Sequence, residues 1–324
     1  MKKIVMFDTS HGTQNMGDYI INASINKELN SILEDNFVVR YSTHNSVLKF
    51  LQNFRKNPIN KYCKEADYKF LCGTNLLKKN LIHLWNDFNI NVFDIKCFSN
   101  SISIGCGIAS NGKGLNFYTK YIYKKILSMN YIHSTRDDKS KKFIEDLGFK
   151  AINTGCPTLW SLTKEHCKKI NKDKSENVVF TLTDYKKDIK NDQKLIDILN
   201  KNYKKIFFWV QGSNDLDYLK SFKNIDNIIV LGPSLEKYEK VLKNGNIDYV
   251  GTRLHAGIFA MQNFVRSIVL IVDNRTRDMK ETYNIISVER DDVKNIDKLI
   301  NSKFETKINI DEDRINEWKK QFEV

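Results

Sequence analysis

Residues 248–262 read DYVGTRLHAGIFAMQ, a short apolar strand that runs through a glycine into an amphipathic helix. The pattern predicts that the strand ends at Val250, that Gly251 makes the turn, and that Thr252 is the N-cap of a helix over 252–261. A strand that leads directly into a helix is the repeating unit of parallel α/β sheets. This segment therefore predicts an α/β fold.

The first turn of that helix contains an arginine and a histidine, Arg253 and His255. Backbone N–H groups and the positive dipole end of a helix attract anions, and an arginine adds a bidentate partner for phosphate or carboxylate. A histidine can move a proton near neutral pH. We predict an anion site with Arg253 and Thr252 as binding residues and His255 as a catalytic residue. The alternative is a packed turn in which the arginine and histidine bond carbonyl oxygens.

Short apolar runs alternate with helical patterns on both sides of this segment. The charged stretch 164–176 lacks an apolar period and is predicted to be a linker. We expect Rossmann-like domains over 1–163 and 177–324 that face a central cleft, with an amphipathic helix over 312–322 at the end of the chain. The strands predicted in the first half are Ile4–Asp8, Phe37–Tyr41, Tyr68–Leu71, Asn91–Phe93, Ser101–Gly105 and Tyr131–Ser134.

Length and charge bound the function. The chain has 324 residues, which is enough for two domains, and 41% hydrophobic residues exclude a disordered protein. Its 52 Lys plus Arg against 39 Asp plus Glu give a net charge of +13. Nucleic-acid binding would explain that charge, but the lysines are scattered in pairs rather than clustered on one element. We therefore predict a basic surface and no nucleic-acid partner.

The cysteines and the apolar runs bear on the compartment. The six Cys form no C-x-x-C pair and several lie in apolar runs, so we expect buried free thiols in a reducing compartment. The start of the chain lacks a signal-peptide core, and no run is long enough to span a membrane. The protein is predicted to be cytoplasmic, with peripheral membrane association through lipid-linked substrates left open. The histidine spacings predict no metal site.

Several motifs together resemble the polysaccharide pyruvyl transferase family. Its second-domain pattern G-x-R-L-H-x-x-I-x-A reads GTRLHAGIFA here, and its N-x-G-D turn reads NMGD. A G-G-x-L-like turn in FLCGTNLL, a G-x-G-like strand end in IGCGI and an R-D-x-x-S step in RDDKS follow in order. The sequence departs from the family at the G-G step, because Cys72 rather than a glycine precedes Gly73.

The resemblance implies a GT-B-like pair of Rossmann-like domains and phosphoenolpyruvate as the donor, with no other cofactor. It implies transfer of pyruvyl onto two hydroxyls of a sugar, in a cell-surface polysaccharide or its lipid-linked precursor, with release of phosphate. Arg253 and His255 match the family residues implicated in donor binding and catalysis. The chemistry fits the residues, because the donor's anionic groups need cationic partners and its methylene carbon needs a proton.

The remaining candidates come from loops that follow strands. Asn15 and Gly17 are predicted to contact the acceptor, with Asp18 as a second catalytic residue that accepts a hydroxyl proton. For Asp18 the alternative is a helix-capping turn. His11 is a further acceptor candidate on its loop position.

Three more arginines are candidates for the donor's anionic groups, Arg136, Arg275 and Arg277. Arg136 alternatively pairs with Asp137 to hold a loop, and the other two are alternatively solvated surface residues. Two functions remain as alternatives to pyruvyl transfer: a GT-B nucleotide-sugar glycosyltransferase and a non-catalytic basic binding protein.

Overall fold

The computed structural model describes residues 1–48, 58–82, 88, 90–109 and 114–322. The chain divides into two compact units. Unit 1 comprises Met1–Thr13, Ile21–Trp160 and Asp311–Val324, and unit 2 comprises Gln14–Ile20 and Ser161–Ile310.

Each unit is built on one parallel sheet of six strands in the described part of the chain. The strands of unit 1 are β1 (Lys3–Asp8), β2 (Phe37–Ser42), β3 (Tyr68–Leu77), β4 (Ser101–Ile108), β5 (His133–Thr135) and β6 (Ala151–Asn153). The strands of unit 2 are β7 (Asn177–Thr181), β8 (Lys205–Trp209), β9 (Ile228–Leu231), β10 (Ile247–Gly251), β11 (Ser267–Ile271) and β12 (Ser287–Glu289).

The helices up to α12 connect successive strands, and the last two follow β12. They are α1 (Met16–Glu28), α2 (Asn30–Leu33), α3 (Pro58–Glu65), α4 (Ile95–Phe98), α5 (Phe117–Ile126), α6 (Asp138–Asp146), α7 (Lys164–Lys168), α8 (Ile189–Asn202), α9 (Asp215–Leu219), α10 (Leu235–Lys243), α11 (Leu254–Gln262), α12 (Asn274–Tyr283), α13 (Val293–Ile300) and α14 (Glu312–Lys320). Every residue of β10 and of β11 is buried, which is typical of parallel strands covered by helices on both faces.

The strand order places a reversal in each sheet. Unit 1 has the order β2-β1-β3-β4-β5-β6, so successive strands run outward on both sides of the point between β1 and β3. Unit 2 has the order β12-β11-β10-β7-β8-β9, with the corresponding point between β7 and β10. Ligands of open parallel sheets bind outside the carboxyl ends of the strands at such a point.

Three local predictions differ from the structure. Asn91–Phe93 is not a strand, because the carboxylate of Asp94 accepts hydrogen bonds from the N–H groups of Asn91 and Leu48 and the chain turns there into α4. The predicted linker contains α7, whose N-cap is Thr163. The expectation of six free thiols is wrong, since Cys63 and Cys97 form a disulfide with Cα atoms 4.8 Å apart. The other four cysteines are free and buried.

The last helix belongs to unit 1, whereas the sequence boundaries grouped it with the second domain. Trp318 of α14 is fully buried, and its indole N–H donates to the carbonyl oxygen of Ile132 over 2.8 Å. The ring of Trp318 also lies 5.7 Å from that of Trp160, and Lys319 forms an ion pair with Glu28 at 2.6 Å. These contacts hold α14 on unit 1.

Gly251, at the end of β10, allows a close approach to β7. A Cβ at this position would lie 2.6 Å from the hydroxyl oxygen, 2.7 Å from the nitrogen and 2.8 Å from the carbonyl oxygen of Thr181. Two of these atoms are backbone, so a side chain at 251 would force the two central strands apart.

We expect Gly251→Ala to lower the free energy of unfolding by about 1–3 kcal/mol, because overpacking forces backbone shifts. Gly232→Ala is the matched control, since a Cβ there meets nothing within 4 Å; its effect should stay within about 0.5 kcal/mol. Urea denaturation of both variants measures the difference. Equal stability of the two variants would contradict this account of Gly251.

Candidate functional site

The carboxyl ends of β7 and β10 are joined by buried hydroxyl groups. The hydroxyls of Thr183 and Thr252 lie 2.8 Å apart, and those of Thr181 and Tyr249 lie 2.7 Å apart. The tyrosine hydroxyl in turn donates to the carbonyl oxygen of Arg253 over 2.7 Å. The turn into α11 is therefore held rigidly against the neighbouring strand.

Thr252 is not the N-cap of α11, as the sequence predicted. The N-cap is Arg253, whose side chain makes no capping hydrogen bond. The hydroxyl of Thr252 points instead to Thr183, so its bonding capacity is used across the strand ends. The prediction failed because it considered only the local chain.

Arg253 is 5% exposed and is held by acids from two other loops. Its Nη2 forms ion pairs with Asp184, at 2.8 Å, and with Asp215. Its Nε donates to the carbonyl oxygen of Leu182 over 3.0 Å, and the guanidinium lies 5.0 Å from the ring centre of Tyr185. Within the described residues no protein atom accepts a hydrogen bond from Nη1, so that edge of the guanidinium is the one open to a ligand.

The two acids are themselves fixed. Asp215 accepts hydrogen bonds from the N–H groups of Gly212, at 2.7 Å, and Gln211, at 3.2 Å. Burial disfavours the charge of Asp184, but a hydrogen bond from Asn214 and the charge of Arg253 outweigh it and lower the pKa of this carboxyl. A Cβ at Gly212 would lie 2.6 Å from Nη2 of the arginine, so this loop packs directly on the guanidinium.

His255 is the second residue of α11 and is half-buried. Its place in the first helical turn puts the imidazole at the positive end of the helix dipole. Leu254 and residues 256–261 are buried, so the helix cannot rotate without exposing its apolar surface. Arg253, Thr252 and His255 thus lie together at the reversal point of the unit 2 sheet.

The segment that contains Asn15 and Gly17 packs on the carboxyl end of β8 within unit 2. The N–H of Met16 donates to the carbonyl oxygen of Gln211 over 2.9 Å, and the side-chain amide of Gln211 donates to Oδ1 of Asn15 over 3.3 Å. Oδ1 of Asn15 also accepts the N–H of Gly17 at 3.0 Å, as a helix cap would. Asp18 is half-buried in the first turn of α1, with Oδ2 3.5 Å from the amide of Asn15.

Gln211 carries an unsatisfied acceptor at this place. Its side chain is buried, and Oε1 has no hydrogen-bond partner in the described part of the chain. A buried acceptor without a partner costs free energy, about 1–3 kcal/mol. A ligand hydroxyl or N–H would supply the missing donor.

The other predicted arginines of unit 2 lie on α12. Arg277 is half-buried, with 43% of its side chain exposed, and it binds Glu289 on β12 at 3.0–3.2 Å. Arg275 lies 3.9 Å from Asp273, and its buried Nε has no partner among the described residues. These two arginines are not part of the hydrogen-bonded group around Arg253.

His11 and Arg136 belong to unit 1. His11 is exposed, with Nε2 3.8 Å from Asp8, a buried acid at the end of β1 that also pairs with Arg40 at 3.2 Å. Arg136 follows β5. A Cβ at Gly107 would lie 2.6 Å from Cζ and Nη2 of Arg136, so the guanidinium packs directly on this glycine. Arg136 is 3.5 Å from Asp137, which caps α6.

The sequence patterns did not indicate Asp184, Asp215 or Gln211 as site residues. Each follows one of the strands β7 and β8 within a few residues, and that position was the available signal. Among the described residues, no three His, Cys, Asp or Glu side chains are grouped as a metal site.

Comparison with known proteins gives a family match. A family model for polysaccharide pyruvyl transferases matches residues 15–274. Among curated proteins, none has a sequence that matches this chain.

Solved structures with a similar fold were also found. The chain is similar to a Methanocaldococcus jannaschii UDP-GlcNAc 2-epimerase in complex with UDP-GlcNAc and UDP, with a TM-score of 0.53, 12% identity and coverage of 98% of each chain. It is similar to S. aureus MnaA with UDP, with a TM-score of 0.53, 11% identity and coverage of 93% of this chain and 89% of that one. Anabaena HepE in complex with UDP and glucose gives a TM-score of 0.52, 10% identity and the same coverages. At these identities the likeness concerns the fold, and it confirms the predicted α/β class with a GT-B-like pair of Rossmann-like sheets.

We expect Arg253→Ala to lower the free energy of unfolding by about 3–5 kcal/mol, because it leaves two carboxylates without their buried partner. Arg277→Ala removes an exposed ion pair and should cost at most about 1 kcal/mol. Urea denaturation at neutral pH compares the two. Similar losses in both variants would show that Arg253 does not hold the loops together.

Proposed function

The chain belongs to the polysaccharide pyruvyl transferase family, and on that premise we propose that it transfers pyruvyl from phosphoenolpyruvate to sugar hydroxyls. As a member of this family it is a transferase enzyme. The product we propose is a pyruvate ketal on a cell-surface polysaccharide or its lipid-linked precursor, with phosphate released.

The proposed reaction needs one proton delivered and two removed. A proton adds to the methylene carbon of the donor, which becomes the methyl group, and one sugar hydroxyl adds to the adjacent carbon. The second hydroxyl displaces phosphate from that carbon. The two hydroxyl protons are thereby accounted for, one in the methyl group and one on the phosphate.

The observation that carries this proposal is the placement of Arg253 and His255 at the start of α11, at the reversal point of the unit 2 sheet. We assign His255 the role of proton donor to the methylene carbon. Backbone N–H groups at the helix start favour a phosphate or carboxylate there, and Thr252 lies in the same turn.

Arg253 has a restricted role in this scheme. Two carboxylates already pair with its Nη2, so the guanidinium is not a free cation, although burial raises the pKa of Asp215. The acids orient the guanidinium, and Nη1 is the edge that would contact the donor. The helix start and a protonated His255 would then supply the attraction that the paired arginine cannot supply alone.

The acceptor would meet the segment around Gln211. A sugar hydroxyl can donate to its unsatisfied Oε1, while Asn15 and Gly17 lie against the same side chain. Asp18 would then accept the hydroxyl proton. Arg136, Arg275, Arg277 and His11 stay predictions for donor and acceptor contacts.

The alternative is transfer of a sugar from a nucleotide-sugar donor. It is favoured by the three solved structures of similar fold, each of which contains bound UDP. Thermal-shift titration separates the two, because a ligand stabilises the protein that binds it. Stabilisation by UDP- or GDP-sugars and none by phosphoenolpyruvate would support the alternative.

We expect the protein to release phosphate from phosphoenolpyruvate in the presence of a suitable glycan, and His255→Gln to lower kcat by about 10²–10⁴-fold. His166→Gln is the control, since His166 is also half-buried in unit 2 but bonds the carbonyl oxygen of Met261, at 2.9 Å. Phosphate release assayed over a panel of glycan acceptors measures both. Activity undiminished in His255→Gln would remove this residue from its assigned role.

We also propose that the enzyme works at the cytoplasmic face of a membrane. No described helix is both long and apolar enough to cross a bilayer. The outer face of α5 instead presents Phe117, which is 86% exposed, and Tyr121, which is 44% exposed. Lys120, Lys124 and Lys125 flank them, and α5 contains no acidic residue. Exposed aromatics among lysines fit a surface of anionic phospholipid.

Replacing Lys120, Lys124 and Lys125 by Gln together should weaken binding to vesicles with anionic phosphatidylglycerol about 100-fold, since each lysine near such a surface contributes about 1 kcal/mol. The matched control replaces Lys237, Lys240 and Lys243, three exposed lysines on α10, by Gln. Co-sedimentation with the vesicles measures binding. Equal weakening in both triple variants would mean that net charge, not the α5 face, drives it.

A further inference from the structure

Unit 1 contains a cavity of about 710 Å³ at the amino-terminal edge of its sheet. It is bordered by the start of β3, the residues before β4 and the helices α3 and α4. This edge is opposite the carboxyl ends of the strands, and so it is also opposite the place where ligands are expected at the reversal point between β1 and β3. The volume is within the range of small-molecule sites, about 300–1,000 Å³. It is independent of the proposed pyruvyl transfer.

A buried lysine lines this cavity. Lys69, the second residue of β3, is 5% exposed, and its ammonium group donates to the hydroxyl of Ser99 over 3.3 Å. It has no carboxylate partner within the described part of the chain. A buried ammonium without an opposite charge is costly, and a bound anion would relieve that cost.

The other charged groups at the cavity are Lys64, Lys96 and Asp67. With Lys69 they carry three positive charges and one negative, a surplus of two. Asp67 is also engaged by the backbone N–H of Lys3 at 2.7 Å. A phosphate ester carries about two negative charges near neutral pH, which matches this surplus.

The disulfide joins α3 to α4, the two helices that carry Lys64 and Lys96. Cys63 lies beside Lys64 on α3, and Cys97 lies beside Lys96 on α4. The packing of α3 on α4 therefore places both exposed lysines at the rim of the cavity, around the buried Lys69.

We propose that this cavity binds a small phosphorylated molecule, with the phosphate held among Lys69, Lys64 and Lys96. The amide side chains of Asn60 and Asn130 at the rim would hydrogen-bond the remainder of the ligand. Such a ligand is of sugar-phosphate size.

Isothermal titration with glucose 1-phosphate and with inorganic pyrophosphate tests the proposal. At least one probe should bind saturably, and Lys69→Met should weaken it at least about tenfold, since a charge-assisted hydrogen bond is lost. Lys142→Met, a lysine 76% exposed on α6, is the matched control and should bind as the wild type does. His255→Gln should also leave binding unchanged, which separates this site from the one on α11.

The pH dependence gives a second readout. Burial lowers the pKa of Lys69 to about 8, so the charged form that binds an anion is lost as the pH rises through that value. Affinity should fall between pH 7 and pH 9, and Lys69→Met should lose this dependence; Lys64, Lys96, Asp67 and Tyr131 are the other titratable groups that face the cavity.

If Lys69→Met does not fold, the surface variant Lys64→Gln with Lys96→Gln carries the same test and should also weaken binding. Absence of saturable binding by both probes, or binding that neither variant weakens, would overturn the proposal.

Discussion

The buried contact of Arg253 with Asp184 and Asp215 is the interaction on which unit 2's candidate site depends. A guanidinium that is 5% exposed is costly unless acids compensate it, and these two come from the loops after β7 and β8. One side chain therefore ties together the carboxyl ends of β7, β8 and β10. Asp215 also accepts hydrogen bonds from the N–H groups of Gln211 and Gly212, so the loop after β8 is held in the same network.

The same contact determines the electrostatics of the site. Because two carboxylates contact one guanidinium, Arg253 is not a free cation that would bind phosphate without selectivity. An anion at this turn would meet the start of α11 and Nη1 of Arg253, the guanidinium nitrogen that neither acid contacts within the described residues. An anion placed elsewhere would meet Asp184, a carboxyl whose pKa is lowered and which therefore keeps its negative charge.

Local sequence patterns predicted the fold class and the turn at Arg253. They did not predict contacts that depend on the order of the strands in the sheet. The alternation of short apolar runs and helices predicted the α/β class, and the glycine, arginine and histidine after β10 predicted the turn into α11. The acids that hold Arg253 lie 38 and 69 residues away in the chain, and no local pattern joins them to it. Cys63 and Cys97, which are 34 residues apart, meet because α3 and α4 pack together. Asn91–Phe93 failed for the reverse reason, because a short apolar run does not distinguish a strand from the approach to a helix.

The segment FLCGTNLL, which resembles the family's G-G-x-L turn, has a regular strand residue at Cys72 and a left-handed backbone just after it. Cys72 is a regular strand residue, paired with Asp8 and Ile104 in register, so a cysteine in place of glycine has no conformational cost there.

Gly73 has φ +23° and Thr74 has φ +97°, a left-handed backbone that a β-branched residue rarely adopts. Strain of this kind costs about 1–3 kcal/mol and collects at ligand sites. Here it lies at the sheet reversal of unit 1, beside Asn75, whose buried Oδ1 has no partner in the described residues. The backbone at Thr74 therefore stores strain at this point of the sheet.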